Sequence, residues 1–220
     1  MTEKNENPNA CLICGAPLVY RDRAEPMECA ICHQTAEGNA SCQTGHFVCD
    51  SCHSMSALSA IRSIGLQTNA KDPLVIAKQM MNHPMVHMHG PEHHVLGGAA
   101  MLVAYRNCGG TLNLEEALEE LEKRGKKIPG GTCGFWGCCG AALSVGIFLS
   151  MITNATPMSS KAWGLCNQQT AECLRKISAI GGPRCCKRTS FISIQTAARF
   201  AEKATGIKMD LAQPLHCSYS

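Results

Sequence analysis

The sequence is poor in aromatic residues and in charge, and it has no long apolar run. Only 5% of its 220 residues are Phe, Trp or Tyr, and 17% are charged. The longest apolar stretch, 141–153, falls short of the roughly 18 residues that cross a bilayer. Residues 1–10 are polar and lack the apolar segment of a secretory signal. We therefore expect a cytoplasmic protein without a membrane span, whose cysteines are in a reducing compartment.

Cysteine is in excess, with 16 residues. In a reducing compartment, closely spaced cysteines are typical of metal sites or redox centres rather than of a disulfide framework. The composition, 45% hydrophobic, does not support disorder over 55–210. We predict a mainly α protein in which a small two-zinc finger at 9–54 precedes a helical, bundle-like domain at 55–212. Residues 1–8 and 213–220 are predicted to be tails.

The finger contains eight potential metal ligands in three Cys-x-x-Cys pairs and one Cys-x-x-x-His pair. They are Cys11, Cys14, Cys29, Cys32, Cys42, His46, Cys49 and Cys52. A tight turn points both sulfurs of a pair at one ion, and Gly15 suits such a turn. A structural zinc site takes four ligands of this kind. The spacing predicts two zinc ions in place of a hydrophobic core, so that folding depends on metal.

Two pairings of these ligands are open. In a sequential pairing, the first two Cys-x-x-Cys pairs share one ion, as in a zinc ribbon, and the last four ligands share the other. The string GHFVCDSC resembles the His-x-x-Cys-x-x-Cys segment of RING-type fingers. That resemblance implies interleaved pairs, in which the first pair shares its ion with Cys42 and His46. His33 and His53 lie beside ligands and are predicted to be exposed or to support the ligands.

The finger is acidic, since residues 1–54 carry three basic and seven acidic side chains. Nonspecific binding of nucleic acid depends on Lys and Arg that neutralise phosphates. Nucleic-acid binding is therefore disfavoured, and we expect a structural or protein-contact role for the finger.

The remaining sequence is predicted to form helices separated by Gly and Pro. The expected helices are 55–66, 74–82, 94–106, 114–124, 139–153, 160–180 and 191–205. Asn113 and Glu116 have the spacing of a capping box, and Gly125 and Gly206 follow helix ends. No alternating strand pattern is evident there, which favours a mainly α domain.

The first chemical motif in the helical domain is HMHGPEHH at 87–94. Pro91 suits the first helical position, which would put His89 just before the helix and Glu92, His93 and His94 in its first turn. Imidazoles and a carboxylate that converge there can bind a metal or move protons. The alternative is a polar helix start with exposed histidines.

The second motif is GGTCGFWGCCGA at 130–141. Its glycines let the backbone approach another group closely, and it leads into an apolar helix. A thiolate at a helix N-terminus is stabilised by free amides and by the helix dipole. Cys139, Cys138 and Cys133 are therefore candidates for reactive or ligating thiols. The alternative is a tight packing loop with small buried cysteines.

The third motif is GGPRCCKR at 181–188. Cys185 and Cys186 lie beside Arg184, Lys187 and Arg188, and positive charge favours the thiolate. The alternatives are a strained disulfide between the adjacent cysteines or a solvated basic turn with structural thiols. Four further cysteines are not assigned a chemical role: Cys166 and Cys173, which should face the core, and Cys108 and Cys217.

Together the strings CLICGAPL, GHFVCDSCH, MHGPEHH, GGTCGFWGCCGA and GGPRCCKR resemble a cysteine-rich prokaryotic domain family of unknown function, over almost the whole chain. That resemblance implies no established activity. The stretch 130–186 is more distantly similar to proteins described as redox-active, which carry a Cys, then Gly-Cys-Ala-x-x-Gly opening a helix, then two further Cys. Cys139, Ala141 and Gly146 approximate the central pattern. This similarity implies redox or metal chemistry.

The leading hypothesis is a zinc-containing metal-binding protein with a redox, iron–sulfur or other thiolate centre in its helical domain. That centre would draw on the following residues: Cys133, Cys138, Cys139, Cys185, Cys186, His89, Glu92, His93 and His94. One alternative is a thiol-dependent enzyme, of oxidoreductase or sulfur-transfer type, acting on a small sulfur-, selenium- or metal-containing substrate. It would use Cys139 as nucleophile and a histidine as base, for which His93 is the catalytic candidate, and Arg184 and Lys187 would hold an anion. Another is a non-catalytic zinc-finger adaptor. Substrate, protein partner and oligomeric state stay open.

Overall fold

The computed structural model describes residues 10–211, with the side chain of Ser56 excepted. The predicted tails at 1–8 and 213–220, and Cys217, lie outside the described residues. The chain divides into two compact units between Ser56 and Ala57. We call them the finger and the helical unit.

The finger is built on a two-stranded antiparallel sheet that was not predicted from the sequence. Strand β1 is Leu18–Glu28 and strand β2 is Thr35–Cys42. Leu18 pairs with Cys42 at the open end, and the second Cys-x-x-Cys turn connects the strands at the other end. The buried apolar cluster of the finger consists of Cys29, Phe47 and Cys49 alone among the described residues. So small a core does not stabilise a fold by burial, which is consistent with dependence on metal.

Eight helices follow within the described residues, and the prediction of a mainly α protein is confirmed. They are α1 Asp50–Gln67, α2 Pro73–Met81, α3 His93–Asn107, α4 Leu114–Gly125, α5 Thr132–Phe135, α6 Gly140–Ile152, α7 Ser160–Ile180 and α8 Cys186–Thr205. The described part of the helical unit contains no strand. None of these helices is long and apolar enough to cross a bilayer.

Helix α3 forms the centre of the helical unit. Its residues from His93 to Tyr105 are all buried, and it packs against α2, α4, α6 and α8. A helix that is apolar on every face belongs in the interior. Gly98 allows α6 to come close, because a Cβ at this position would lie 2.6 Å from the Ser144 carbonyl oxygen. The Gly98 amide also donates to Ser144 Oγ at 2.9 Å.

Several helix boundaries match the sequence-based predictions. Asn113 caps α4, since its side chain accepts a hydrogen bond from the Glu116 amide. Helix α7 begins and ends at the predicted residues. Gly206 ends α8 in the left-handed conformation, which glycine adopts at little cost.

Other boundaries were predicted wrongly. Helix α1 begins at Asp50 rather than at 55, and α8 at Cys186 rather than at 191. The short helix α5 was not foreseen. Pro91 is not the first helical residue, because the His94 amide donates to the Pro91 carbonyl at 2.9 Å in a tight turn that precedes α3. Glu92 is therefore the N-cap residue, and His93 begins the helix.

Candidate metal centres and thiol cluster

Four potential ligand atoms of the finger lie within 4.8 Å of one another at what we call site 1, formed by Cys11, Cys14, Cys42 and His46. The Cys14 and Cys42 sulfurs are 3.8 Å apart. His46 Nδ1 lies 3.4 Å from Cys14 Sγ and 3.6 Å from Cys42 Sγ. Zinc bonds of about 2.3 Å to sulfur and about 2.0–2.1 Å to nitrogen give tetrahedral edges of about 3.8 Å and about 3.5 Å. The donor set and its spacing therefore fit a tetrahedral zinc ion.

The second group, site 2, consists of Cys29, Cys32, Cys49 and Cys52, again within 4.8 Å of one another. The Cys32 and Cys49 sulfurs are 3.8 Å apart, the same tetrahedral edge. Of the two pairings left open by the sequence, the structure thus has the interleaved one. The backbone pairing of Leu18 in β1 with Cys42 in β2 brings the first ligand turn to the end of β2, at site 1. The backbone bridge between Cys29 and Phe47 brings the last Cys-x-x-Cys pair to site 2.

Three of the four ligand turns of the finger have one residue each in the left-handed backbone region. These residues are Gly15 (φ 73°), His33 (φ 58°) and Gly45 (φ 91°). The amide of each donates to the carbonyl of the cysteine that opens its turn, at 2.8–2.9 Å. His33 is therefore a turn residue. Its exposed ring bonds Glu28 and takes no part in either site.

Amide groups and neighbouring thiols set the acidity of the ligand cysteines. Burial raises the pKa of the Cys29 thiol, but amide donors from Cys32, Cys49 and Ile31 outweigh burial and bring it to about 6. At Cys52, burial and hydrogen bonds with the other site 2 thiols raise the pKa to about 12. The protein alone does not stabilise four adjacent thiolates, whereas a bound divalent cation deprotonates coordinating thiols outright.

In the helical unit, the three chemical motifs meet around the Cys186 thiol. The backbone of Gly90, from the first motif, hydrogen-bonds this thiol. Cys133 and Cys139, from the second motif, lie close enough to interact with it electrostatically. We call Cys133, Cys139 and Cys186 the thiol cluster.

The expected activation of Cys186 by nearby cations is wrong. Burial raises the pKa of the Cys186 thiol to about 12, although Arg184 lowers it. Lys187 Nζ instead donates to the Met81 carbonyl at 2.8 Å, and Arg188 donates to the carbonyls of Gly181 and Pro183. Basic residues next to a cysteine in sequence therefore do not activate its thiol when their donors are bound elsewhere.

The other thiols of these motifs occupy distinct positions. Cys139 is the N-cap residue of α6, and its side chain makes no capping hydrogen bond. Cys185 is the N-cap residue of α8, and its sulfur accepts a hydrogen bond from the Arg188 amide. Burial and neighbouring Cys139 raise the pKa of Cys138. Cys185 and Cys186 are free thiols, so they do not form a disulfide.

The thiol cluster is more widely spaced than the finger sites. Among the described residues, no helical-unit cysteine belongs to a group of three ligand atoms within 4.8 Å of one another. The structure therefore places these thiols near each other without the closed geometry of a tetrahedral site.

Glu92, His93 and His94 of the first motif are buried and its other two histidines are partly buried, so the alternative of exposed histidines is wrong. Glu92 has no exposed surface. Its Oε1 accepts the His87 amide at 3.0 Å, and its carboxylate packs against Gly90, where a side chain would collide with it. Burial lowers the pKa of Lys187, while the Glu92 carboxylate raises it. This buried lysine is the principal polar group that sequence reasoning missed, because the sequence around it suggests a solvated basic turn.

The histidines of the first motif have mainly positioning contacts. Burial lowers the pKa of His93 to about 4, and its Nε2 donates to the His87 carbonyl at 3.0 Å. His93 is therefore neutral at pH 7 and enclosed, which does not suit the predicted role of general base. His94 Nδ1 donates to the Ile128 carbonyl at 3.0 Å. Burial also lowers the pKa of half-buried His89, as does the charge of Arg184.

Comparison with known proteins assigns the helical unit to a family. No curated protein and no solved structure matches the chain, and nothing supports the more distant similarity to redox-active proteins. The model of a family of unknown function, DUF5714, matches residues 61–220. The match begins inside α1, so it covers the helical unit and not the ligands of the finger. With nearly three quarters of its length matched, the chain belongs to the DUF5714 family of unknown function.

Proposed function

We propose that this is a zinc-containing metal-binding protein whose finger folds around two zinc ions. The observation that carries the proposal is the spacing of the ligand atoms, 3.8 Å between sulfurs and 3.4–3.6 Å between sulfur and nitrogen. Four protein ligands at each site leave no open position for substrate, as in structural zinc sites. The ions would hold the hairpin together in place of an apolar core.

The helical unit provides a second candidate function, a partly buried thiolate centre with redox or iron–sulfur chemistry. Convergence of the three motifs at Cys186 favours this role. Burial, and repulsion between neighbouring thiolate charges, keep adjacent thiols protonated. A bound metal cluster offsets both effects, because its positive charge stabilises the thiolates. The residues that would hold it are Cys133, Cys139 and Cys186, with the Gly90 backbone bonded to the Cys186 sulfur.

Two alternatives make different demands on the same residues. A thiol-dependent enzyme would need Cys139 as nucleophile, since the Cys186 thiol is weakly acidic, and it would need a base other than His93. A non-catalytic adaptor would use the surface of the finger, where Leu12, Ile13 and Ile31 are exposed.

Metal analysis of protein purified without oxygen tests both parts of the proposal. We expect two zinc ions per chain, which chelation removes together with the ordered structure of the finger. Fewer than two zinc ions in fully reduced protein would refute the finger assignment. Iron with a thiolate absorbance band, lost in Cys186→Ala but kept in Cys173→Ala, would support the second candidate. Cys173 is a matched control because it is a buried thiol of α7 outside the three motifs. Two zinc ions, no iron and no such band would refute the thiolate centre.

A further inference from the structure

The Thr44 side chain lies directly against site 1. Its Oγ1 is 3.0 Å from Cys42 Sγ, 3.2 Å from Cys14 Sγ and 3.3 Å from His46 Nδ1. We propose that Thr44 donates its hydroxyl hydrogen to the ligand sulfurs of site 1 and thereby slows the loss of zinc from this site. The inference rests on the proposed zinc ion at site 1.

The three distances define where the hydroxyl lies. Cys14 Sγ, Cys42 Sγ and His46 Nδ1 are three corners of the tetrahedron, with edges of 3.4–3.8 Å. Oγ1 is almost equally far from all three corners. A point at these distances can lie on either side of the triangular face formed by the three ligand atoms. On the side that faces the ion, the hydroxyl would overlap the ion and the fourth ligand, Cys11. The hydroxyl therefore covers the outer side of the face opposite Cys11.

The chemistry of the site explains why a donor on this face matters. Three thiolates and a neutral imidazole around Zn²⁺ leave one excess negative charge, which hydrogen bonds to sulfur disperse. Cys14 is an exposed ligand, so water or a competing chelator can reach its bond to the ion. His46 Nδ1 is itself a ligand and accepts nothing from Thr44 once metal is bound. The hydroxyl hydrogen is then shared between the two sulfurs.

Site 2 offers a matched control. Ser51 follows Cys49 by two residues, as Thr44 follows Cys42. Within the described part of the chain, the Ser51 hydroxyl forms no hydrogen bond with a ligand sulfur. Removing the two hydroxyls should therefore affect the protein differently, although each belongs to a ligand segment with the same spacing.

The test compares Thr44→Val, Thr44→Ser and Ser51→Ala in the full chain loaded with two zinc ions. Transfer of zinc to a chromophoric chelator is followed in time. Supporting contacts of this kind change metal affinity about 10–100-fold. We expect Thr44→Val to release one of its two zinc equivalents about 10-fold faster, and Thr44→Ser and Ser51→Ala to behave like the parent.

A second measurement separates electronic from structural effects. With Co²⁺ in place of zinc, the sulfur-to-metal charge-transfer bands of Thr44→Val should shift to lower energy, because thiolates without the hydroxyl donor are more electron-rich. The proposal is refuted if Thr44→Val keeps the parental release rate and spectrum, or if Thr44→Ser is impaired as much as Thr44→Val. Either of these results would refute only the role of Thr44, because two zinc ions would still be bound and the proposed function would be unaffected. A parent protein with no metal at site 1 would refute the proposed function itself.

Discussion

The interleaved pairing predicts which double substitutions cost one zinc ion and which cost two. Each site takes four ligand atoms and shares none with the other. Cys14→Ala should therefore leave one zinc ion per chain. Adding His46→Ala removes a second ligand from the same site, so this double variant should still hold one ion. Adding Cys29→Ala instead removes a ligand from site 2, so that double variant should hold none.

The sequential pairing predicts the opposite order. There, Cys14 and Cys29 share an ion, so their double variant would keep one, while Cys14→Ala with His46→Ala would keep none. A structural zinc ion contributes about 10–16 kcal/mol of apparent binding free energy, so loss of an intact site should appear as a whole equivalent. The assay is zinc per chain by mass spectrometry after gel filtration. His33→Asn, at an exposed turn residue whose left-handed conformation Asn tolerates, should keep both ions. One ion in the Cys14/Cys29 variant would refute the interleaved sites.

Three further predictions concern the helical unit. Gly98→Ala should lower the free energy of unfolding by about 1–3 kcal/mol, because its methyl group meets the α6 backbone at 2.6 Å. At Gly97 the added methyl group would come no closer than 3.4 Å to a neighbouring atom, so Gly97→Ala should raise the free energy of unfolding by up to about 1 kcal/mol. Urea titrations measure both variants, and equal changes in the two would contradict the close packing at Gly98. Because burial depresses the pKa of His93 to about 4, the unfolded chain binds more protons below about pH 6.5. Stability should therefore fall by up to roughly 3 kcal/mol between about pH 6.5 and about pH 4. His93→Gln should lack this loss of stability at low pH. If the unfolding free energies of the variant and the parent fall in parallel with pH, His93 is not its cause. Cys173, which is buried, should resist thiol alkylation until the protein unfolds. Cys186 is partly exposed, and it should be labelled slowly because its raised pKa leaves little of the reactive thiolate. Mass spectrometry of labelled peptides measures both rates, and rapid labelling of Cys186 in folded protein would contradict its raised pKa.

Local signals explain the parts of the fold that were predictable. The Asn113 cap of α4 depends on a side chain and an amide three residues apart, and such contacts can be read from spacing. The ligand identities of the finger are likewise local, since each pair is closed by its own turn. Pairing between turns depends on how β1 and β2 align, and the sequence contains no clear strand alternation to indicate it.

Long-range contacts explain the parts that were not predictable. The start of α8 carries polar residues that suggest a solvated turn, yet Lys187 is buried there because its donor reaches the Met81 carbonyl at the end of α2. The sequence makes His93 a candidate catalytic base, because an unperturbed imidazole titrates near pH 7. Its burial at the centre of the helical unit reverses that expectation. In both cases the sequence shows which side chain is present, but it does not show which helix or loop packs against that side chain and buries it.

Cys52 of the finger and Cys186 of the thiol cluster differ in spacing rather than in acidity. Burial raises the pKa of Cys52 and of Cys186 to the same value, about 12. Cys52 belongs to four ligand atoms within 4.8 Å of one another, which one ion can bind, whereas the thiol cluster belongs to no such group in the described residues. A single zinc ion at Cys186 would therefore require its loops to move closer. An iron–sulfur cluster binds each thiolate through a different iron, so it accepts wider spacing. For the helical unit, iron content therefore discriminates between a metal centre and buried structural thiols better than zinc content does.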